Sequence, residues 1–347
     1  MNKLLTIVIP TYNMQDYLHH CLDSLIVPDE QMAQLEVLII NDGSKDSSSA
    51  IAHEYETKYP STYRVIDKGN GNYGSCVNRG LAEAQGKYIK VLDADDWFDT
   101  AEFSHYLDEL KHTDVDMVLT PFSTYNECAD AVSLFTQPNI REGIVMDFQT
   151  YSSEKMYRYS MHMITYRTSM VRDMNYRQTE GISYTDTEWT HIPQYEVKTF
   201  IWMPYAVYCY RIGREGQTMD PSVLAKNIWK YEVICNSLIE NSKKYPKKAA
   251  CALAEEFNLQ QIEFLADNIY KMFLMEIKPS KEEMEHLKQF DAHLKETCPI
   301  VYASVGRRPM KKWLPLHYVA LWRKTGIRIP IDFLRDTYRK IKYGDKK

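Results

Sequence analysis

Several features that would place this 347-residue chain quickly are missing from it. No stretch approaches the roughly 20 apolar residues that a membrane-spanning helix needs, so the protein is not expected to be integral to a membrane. The opening "MNKLLTIVIPTYN" holds an apolar run too short for a secretion signal, and Pro10 ends it. The seven cysteines, Cys21, Cys76, Cys128, Cys209, Cys235, Cys251 and Cys298, form no CxxC pair, and their number is odd. Both facts argue against a disulfide framework or a zinc site and for reduced thiols in a cytoplasmic protein. There is no GxxxxGKS or GxGxxG loop, which weakens ATPase and dehydrogenase readings. Repeats and low-complexity segments are absent. A net charge of −5 gives no reason to expect nucleic acid as a partner. That charge is unevenly spread: residues 306–347 carry a net +10 and the remainder −15. A basic tail on an acidic body points to an anionic partner or surface.

The first 120 residues alternate simply. Apolar runs at 4–10, 35–42, 63–68, 87–93 and 115–122 read as buried strands. Between them, 16–26, 47–59, 73–86 and 101–112 have helical spacing, with serines near 47 suited to an N-cap and Gly86 to a C′ position. Strands apolar throughout, separated by amphipathic helices, predict an α/β fold with a mostly parallel sheet flanked by helices. Residues 123–215 are less regular and rich in aromatics, with a strand-like run at 200–212, and 223–295 have a helical pattern.

In "KVLDADDWFD" (90–99) an apolar strand ends abruptly at Asp93, Asp95 and Asp96. In open α/β sheets, ligands bind beyond the carboxyl ends of the strands. Two other strands also end in polar residues, at Thr11-Tyr12-Asn13 and Asn41-Asp42-Gly43-Ser44. If the chain stays extended, Asp93 and Asp95 face the same way. Paired carboxylates suit a divalent cation that offsets their repulsion, and oxygen ligands favour Mg²⁺ or Mn²⁺. The alternative is that Asp96 or Asp99 caps the helix that follows.

"PTYN" (10–13), "NDGSKDSS" (41–48), "GNYGSCVNRGLAEAQGKYI" (71–89) and "LDADDW" (92–97) occur in that order at short spacing. Together they resemble the family 2 glycosyltransferases, which have the GT-A fold: closely over residues 4–125, less closely to about 215. The resemblance implies an inverting, metal-dependent transferase that moves a sugar from a nucleotide-diphosphate sugar, UDP favoured, to a glycan or lipid-linked acceptor in cell-surface polysaccharide synthesis. It implies that Pro10 and Tyr12 line the base pocket and that Asp42 bonds the base or ribose. Asn72, Tyr73 and Gly74 would lie near the donor, with Asn78 and Arg79 at the start of the helix beneath. Asp93 would face the ribose or metal, and Asp95 would be the main metal contact. In "EGISYTDTEWTH" (180–191), Asp186 aligns with the family's catalytic base, although Thr185 replaces the usual Glu before it; Glu188 and Glu180 are alternatives. His162 and His191 are further candidates. Arg211 or Arg214, in "YCYRIGREGQTMD" (208–220), could close over the diphosphate. The QxxRW motif of processive synthases is absent, favouring single additions.

These readings divide the chain into a catalytic domain, 1–220, and a helical region, 221–347. The donor half of the catalytic domain would be 1–125 and the acceptor half 126–220. The tail, "RRPMKKWLPLHYVALWRKTGIRIPIDFLRDTYRKIKY" (307–343), mixes cations with Trp313, Tyr318, Trp322, Phe333 and Tyr338. It suits either peripheral contact with an anionic membrane surface or a helix pair packed on the body. Two other functions remain at this point: a nucleotidyltransferase acting on sugar phosphates, and a non-catalytic nucleotide- or glycan-binding protein.

Overall fold

The computed structural model describes residues 3–151, 156, 159–213, 225–245, 252–309 and 316–330. Leu5–Thr11 (β1) and Leu35–Asn41 (β2) are buried on both faces apart from Pro10, which explains why they are apolar throughout. They pair in parallel, and Tyr63–Asp67 (β3) and Tyr88–Val91 (β4) extend the parallel set on either side. The remaining strands are Trp97–Phe98 (β5), Met117–Leu119 (β6), Phe122–Asn126 (β7), Ala131–Phe135 (β8), Met146–Asp147 (β9), Ile164–Arg167 (β10), Thr199–Trp202 (β11) and Tyr208–Ile212 (β12). An eight-stranded sheet runs β3-β2-β1-β4-β10-β6-β11-β9, with β10 and β9 antiparallel to their neighbours. A four-stranded sheet runs β5-β12-β7-β8.

Two runs expected as single strands are each split between the sheets. Residues 115–122 become β6 and β7 around Pro121, and 200–212 become β11 and β12 around Pro204. Proline has no N–H to give to a ladder, so each chain leaves one sheet there and enters the other.

The helices of this part are Gln15–Asp23 (α1), Asp29–Met32 (α2), Ser48–Lys58 (α3), Asn72–Glu83 (α4), Thr100–Leu110 (α5), Thr168–Asp173 (α6) and Asp186–His191 (α7). At α3 the expected serine cap is replaced: Asp46 Oδ1 accepts the Ser48 N–H, and Ser48 Oγ accepts the Met14 N–H. Helix α4 ends at Glu83, before Gly86, so Gly86 is no helix cap. A Cβ there would lie 2.4 Å from Thr6 N, so the glycine permits close approach to β1. Likewise a Cβ on Gly80 would meet Val8 Cγ1 at 2.3 Å; α4 packs hard on β1 for that reason.

The chain divides into two compact units, 1–217 with 245–256, and 218–244 with 257–347. Within the first, Tyr195 stacks on Tyr245, and its hydroxyl donates to Glu255 Oε2 at 2.6 Å. The later helices are Lys230–Lys244 (α8), Ala252–Lys271 (α9), Lys281–Thr297 (α10), Pro299–Arg307 (α11) and Tyr318–Thr325 (α12). Ser280 and Glu283 form a capping box at the start of α10. In the second unit, buried Asp267 accepts from Tyr318 Oη, Arg308 Nη1 and Lys271 Nζ. Arg323 pairs with Asp291 and lies over the Tyr302 ring. Tyr318 and Trp322 are thus packed inward; Trp313, Phe333 and Tyr338 lie outside the described residues. No helix among the described residues is long and apolar enough to cross a membrane.

Candidate active site

Strands β1, β2 and β4 run in parallel, so their polar ends gather at one edge of the large sheet. The first two ends brace each other. The Asn13 N–H donates to Ser44 Oγ, and the Lys45 N–H donates to Asn13 Oδ1 at 2.8 Å. Asn13 takes φ 54°, a left-handed conformation that asparagine tolerates well. Pro10 is half-buried beside them, and Tyr12 is 44% exposed, leaving its ring open to solvent.

Asp42 is buried and fully engaged by the protein. It accepts the N–H groups of Gly71 and Asn72, both at 2.9 Å, and pairs with Lys68 Nζ. The carboxylate therefore shapes the 69–72 loop, where Asn72 takes φ 65° and α4 begins. Asn78 and Arg79, expected to start that helix, lie in its middle.

The chain after β4 does not stay extended. The Asp96 N–H donates to Asp93 O at 3.0 Å, closing a turn, so Asp93 and Asp95 do not share the strand-like face expected of them. Asp99, not Asp96, caps α5, accepting from the N–H groups of Ala101 and Glu102. Asp96 instead latches the turn to β12. Its Oδ2 accepts the Tyr208 hydroxyl at 2.6 Å, and its Oδ1 accepts the Arg211 N–H at 2.8 Å. The same Tyr208 hydroxyl accepts the Asp93 N–H. Arg211 donates through Nε to Asp95 O and through Nη1 to Glu127, and it lies over the Tyr17 and Trp97 rings. Its guanidinium is thus tied into the turn rather than held over a ligand. Arg214 lies outside the described residues.

The Tyr73 hydroxyl donates to Asp93 Oδ1 at 2.8 Å. Burial, then the charges of Asp95 and Asp186, push the Asp93 carboxyl up to about 7. Burial and its acidic neighbours raise Asp96 well above the usual carboxylate range. Oxygens of Asp93 and Asp96 and a ring nitrogen of His162 lie within 4.8 Å of one another. Burial and Lys90 hold the His162 imidazole down at about 3, keeping it neutral and able to ligate. His162 stacks on Tyr210, and Lys90 Nζ donates to the His162 and Ile164 carbonyls. Two carboxylates and a neutral imidazole form a donor set that fits a divalent cation.

Asp186 opens α7, and its charge is among those that raise Asp93 and Tyr73. Burial raises its own carboxyl. The alternatives to it are committed elsewhere. Glu188 is fully buried, its oxygens accepting the Thr179 N–H and hydroxyl, both at 2.7 Å. Glu180 accepts from Arg177 and Asn78. Thr185 does not cap α7 with its side chain; its hydroxyl accepts from Gln178 Nε2. His191 is buried within α7, with Gln194 Nε2 3.3 Å from its Nδ1.

A strap at 178–181 joins this helix to α4. The Asn78 side chain pairs with the Gln178 backbone through two 2.8 Å bonds, and the Gly181 N–H donates to Gly71 O. A Cβ on Gly74 would lie 2.0 Å from Thr179 O, so this glycine makes room for the strap.

Sequence reasoning missed Tyr208, Lys90, Lys68 and the strap. Lys90 did leave a signal, a lone cation inside a strand otherwise apolar. Tyr208 left none, because its partners Asp93 and Asp96 lie 115 and 112 residues away along the chain.

Three comparisons bear on this arrangement. Residues 6–177 match the family model described as Glycosyl transferase family 2. The chain is 27% identical over 232 residues to the uncharacterized glycosyltransferase EpsJ of Bacillus subtilis, covering 64% of each protein. It is 40% identical over 124 residues to a Mycoplasma pneumoniae protein, the uncharacterized glycosyltransferase MG025 homolog, covering 35% of this chain and 40% of that one. The matches thus span less than two thirds of either relative. Its fold resembles that of S. aureus TarS 1-349 in complex with UDP-GlcNAc, with a TM-score of 0.68 at 18% identity, covering 98% of this chain and 93% of that one. This likeness bears out the GT-A architecture. The ordered motifs and the family match over residues 6–177 lead to one assignment: the chain belongs to glycosyl transferase family 2.

Proposed function

We propose that the protein is an inverting glycosyltransferase that moves a sugar from a nucleotide-diphosphate donor, UDP favoured, to a glycan or lipid-linked acceptor of the cell surface. One observation carries this reading. Asp186 comes from far along the chain, yet its charge is felt at Asp93, at the end of β4. That proximity suits transfer between a donor-side acidic turn and a separate acceptor-side carboxylate. UDP is favoured because the TarS fold neighbour was crystallised with UDP-GlcNAc. A cell-surface glycan is favoured because residues of this chain are 34% identical over 119 residues to the minor teichoic acid biosynthesis protein GgaB of Bacillus subtilis.

Each side has its own task. Tyr12 offers an exposed ring for the base to stack on, beside Pro10, and Asp42 holds the 69–72 loop, with Asn72 and Gly74 next to it, in place for the donor. Asp93, Asp96 and His162 would hold a divalent cation, with Asp95 close enough to join them and Asp93 toward the ribose. That cation, Mn²⁺ or Mg²⁺, would supply stabilisation of the negative charge on the leaving diphosphate. Asp186 removes the acceptor hydroxyl proton as its oxygen attacks the anomeric carbon. Burial raises the Asp186 carboxyl, which strengthens it as a base. Arg214 would approach the diphosphate as a charge-assisted donor. The tail beyond Gly306 would approach an anionic membrane surface through residues outside the described set, since the cations of 316–330 include Arg323 and Arg328, which already bond within the second unit.

A thermal-shift screen of nucleotide sugars with Mn²⁺, followed by UDP-release kinetics, tests the reading. A donor that raises Tm and is turned over supports it, whereas stabilisation by no nucleotide sugar sinks it. For the tail, liposome sedimentation with and without residues 306–347 decides; partitioning that ignores the truncation removes the membrane role.

A further inference from the structure

The carboxylate of Glu188 is the least explained charge near the crevice. It is fully buried, and no Lys or Arg among the described residues pairs with it. Both oxygens serve one residue, Thr179, through its N–H and its hydroxyl. Burying a charge is costly unless its bonds do something needed. Those bonds act on the strap.

Around Thr179 the strap is held at several more points. Asn78 of α4 takes both backbone groups of Gln178, whose side chain reaches Thr185 at the start of α7. Gly181 N–H donates to Gly71 O, and the adjoining Gly71 N–H donates to Asp42. A continuous path of hydrogen bonds therefore leads from Asp42, on the donor side, through Gly71 and the strap to Glu188. Asp186 and Glu188 are two apart on one short helix. They point to different faces, Asp186 toward the Asp93 side and Glu188 toward the strap. Between strap and helix, Tyr184 takes φ 70°, a conformation that bulky residues hold only when their surroundings fix it.

We propose that Glu188 and Thr179 are positioning residues: their clamp sets Asp186, the acceptor-side base, at a fixed place relative to the donor loop 69–72. This rests on the transferase reading above. Neither residue touches the donor, so the clamp should govern turnover and leave donor affinity alone. A displacement of about 1 Å in a catalytic group costs about 10²-fold in rate.

The test uses the full chain and UDP release from the donor found by the screen. UDP affinity and binding stoichiometry with Mn²⁺ are measured in parallel by calorimetry. Glu188→Ala should lose about 10²-fold in kcat while UDP affinity and stoichiometry stay at wild-type values. Glu188→Gln keeps an oxygen for the Thr179 N–H and should restore most of the turnover. Thr179→Ala, at a half-buried position, should lose kcat in the same direction but less. Exposed Lys288→Ala, in the second unit, serves as the control at wild-type rate. If kcat survives in Glu188→Ala and Thr179→Ala, or falls only in proportion to UDP stoichiometry, the clamp is merely structural and the proposal is overturned. Should Glu188→Ala not fold, Thr179→Ala alone decides by the same split. A wild-type protein that releases no UDP, or Asp186→Asn at the wild-type rate, overturns the transferase reading and this proposal with it.

Discussion

The donor loop around Asp42 is built from short-range pieces, whereas the acidic turn and the tie between strap and α4 are held by long-range ones. Asp42 and its partners Lys68, Gly71 and Asn72 lie within 30 residues of one another. The Asp93–Asp96 turn closes on itself, but Asp96 also ties it to Tyr208 and Arg211 of β12. The strap likewise meets α4 across about 100 residues, at Asn78 and Gln178. The Asp42 loop can thus form as soon as the first parallel strands pair, while the acidic turn and the acceptor side need the rest of the first unit. Binding then rests on the donor side, whereas turnover depends on both sides.

The largest expected effect that separates the halves is on rate. Asp186→Asn should lower UDP release by about 10³-fold, the scale of a general base, with Tm nearly unchanged. Next comes Asp42→Ala, which strands Lys68 and two backbone N–H groups. It should cost about 2–4 kcal/mol in urea unfolding and weaken UDP binding together. Should binding survive that loss, the donor loop does not depend on its internal carboxylate. Gly74→Ala sets a methyl against Thr179 O, and overpacking of that kind costs about 1–3 kcal/mol. Its turnover should fall further than its UDP affinity, because the strap moves before the loop does. Equal losses in both would erase the distinction between the halves.

A further effect, on stability alone, is a pH dependence in EDTA. The Asp93 carboxyl, raised to about 7 in the fold, stays protonated where the unfolded chain has already lost that proton. The metal-free protein should therefore lose stability as pH rises from about 4 to 7, the unfolded and folded values, and change little from this group above that. Asp93→Asn should remove this slope in thermal unfolding, and Mn²⁺ should offset it in the wild-type chain. A slope unchanged in Asp93→Asn would assign it to other groups.

The same contrast explains what could be read in the sequence. Apolar runs fixed the positions of β1 to β4 and the helices between them, because burial on both faces leaves a local pattern. The four ordered motifs brought out Tyr12, Asp42 and the acidic turn for the same reason. The splits at Pro121 and Pro204 were hidden, since an apolar run is equally suited to either sheet. Asp93 and Asp95 were expected on one face because spacing alone cannot reveal a turn closed by Asp96 N–H. Arg211 looked like a ligand for diphosphate, but its partners, Asp95 O and Glu127, come from other strands and loops. Gly74 was read as a donor contact; its nearest neighbour is a strap roughly 100 residues away, and no local pattern records that.

Calorimetric titration of UDP with Mn²⁺ into Asp95→Ala and Asp186→Asn, side by side with the wild-type chain, tests this division of labour most directly. The account predicts that Asp95→Ala loses Mn²⁺-dependent UDP binding and that Asp186→Asn binds as the wild type does. Binding lost in both variants, or kept in both, would contradict it.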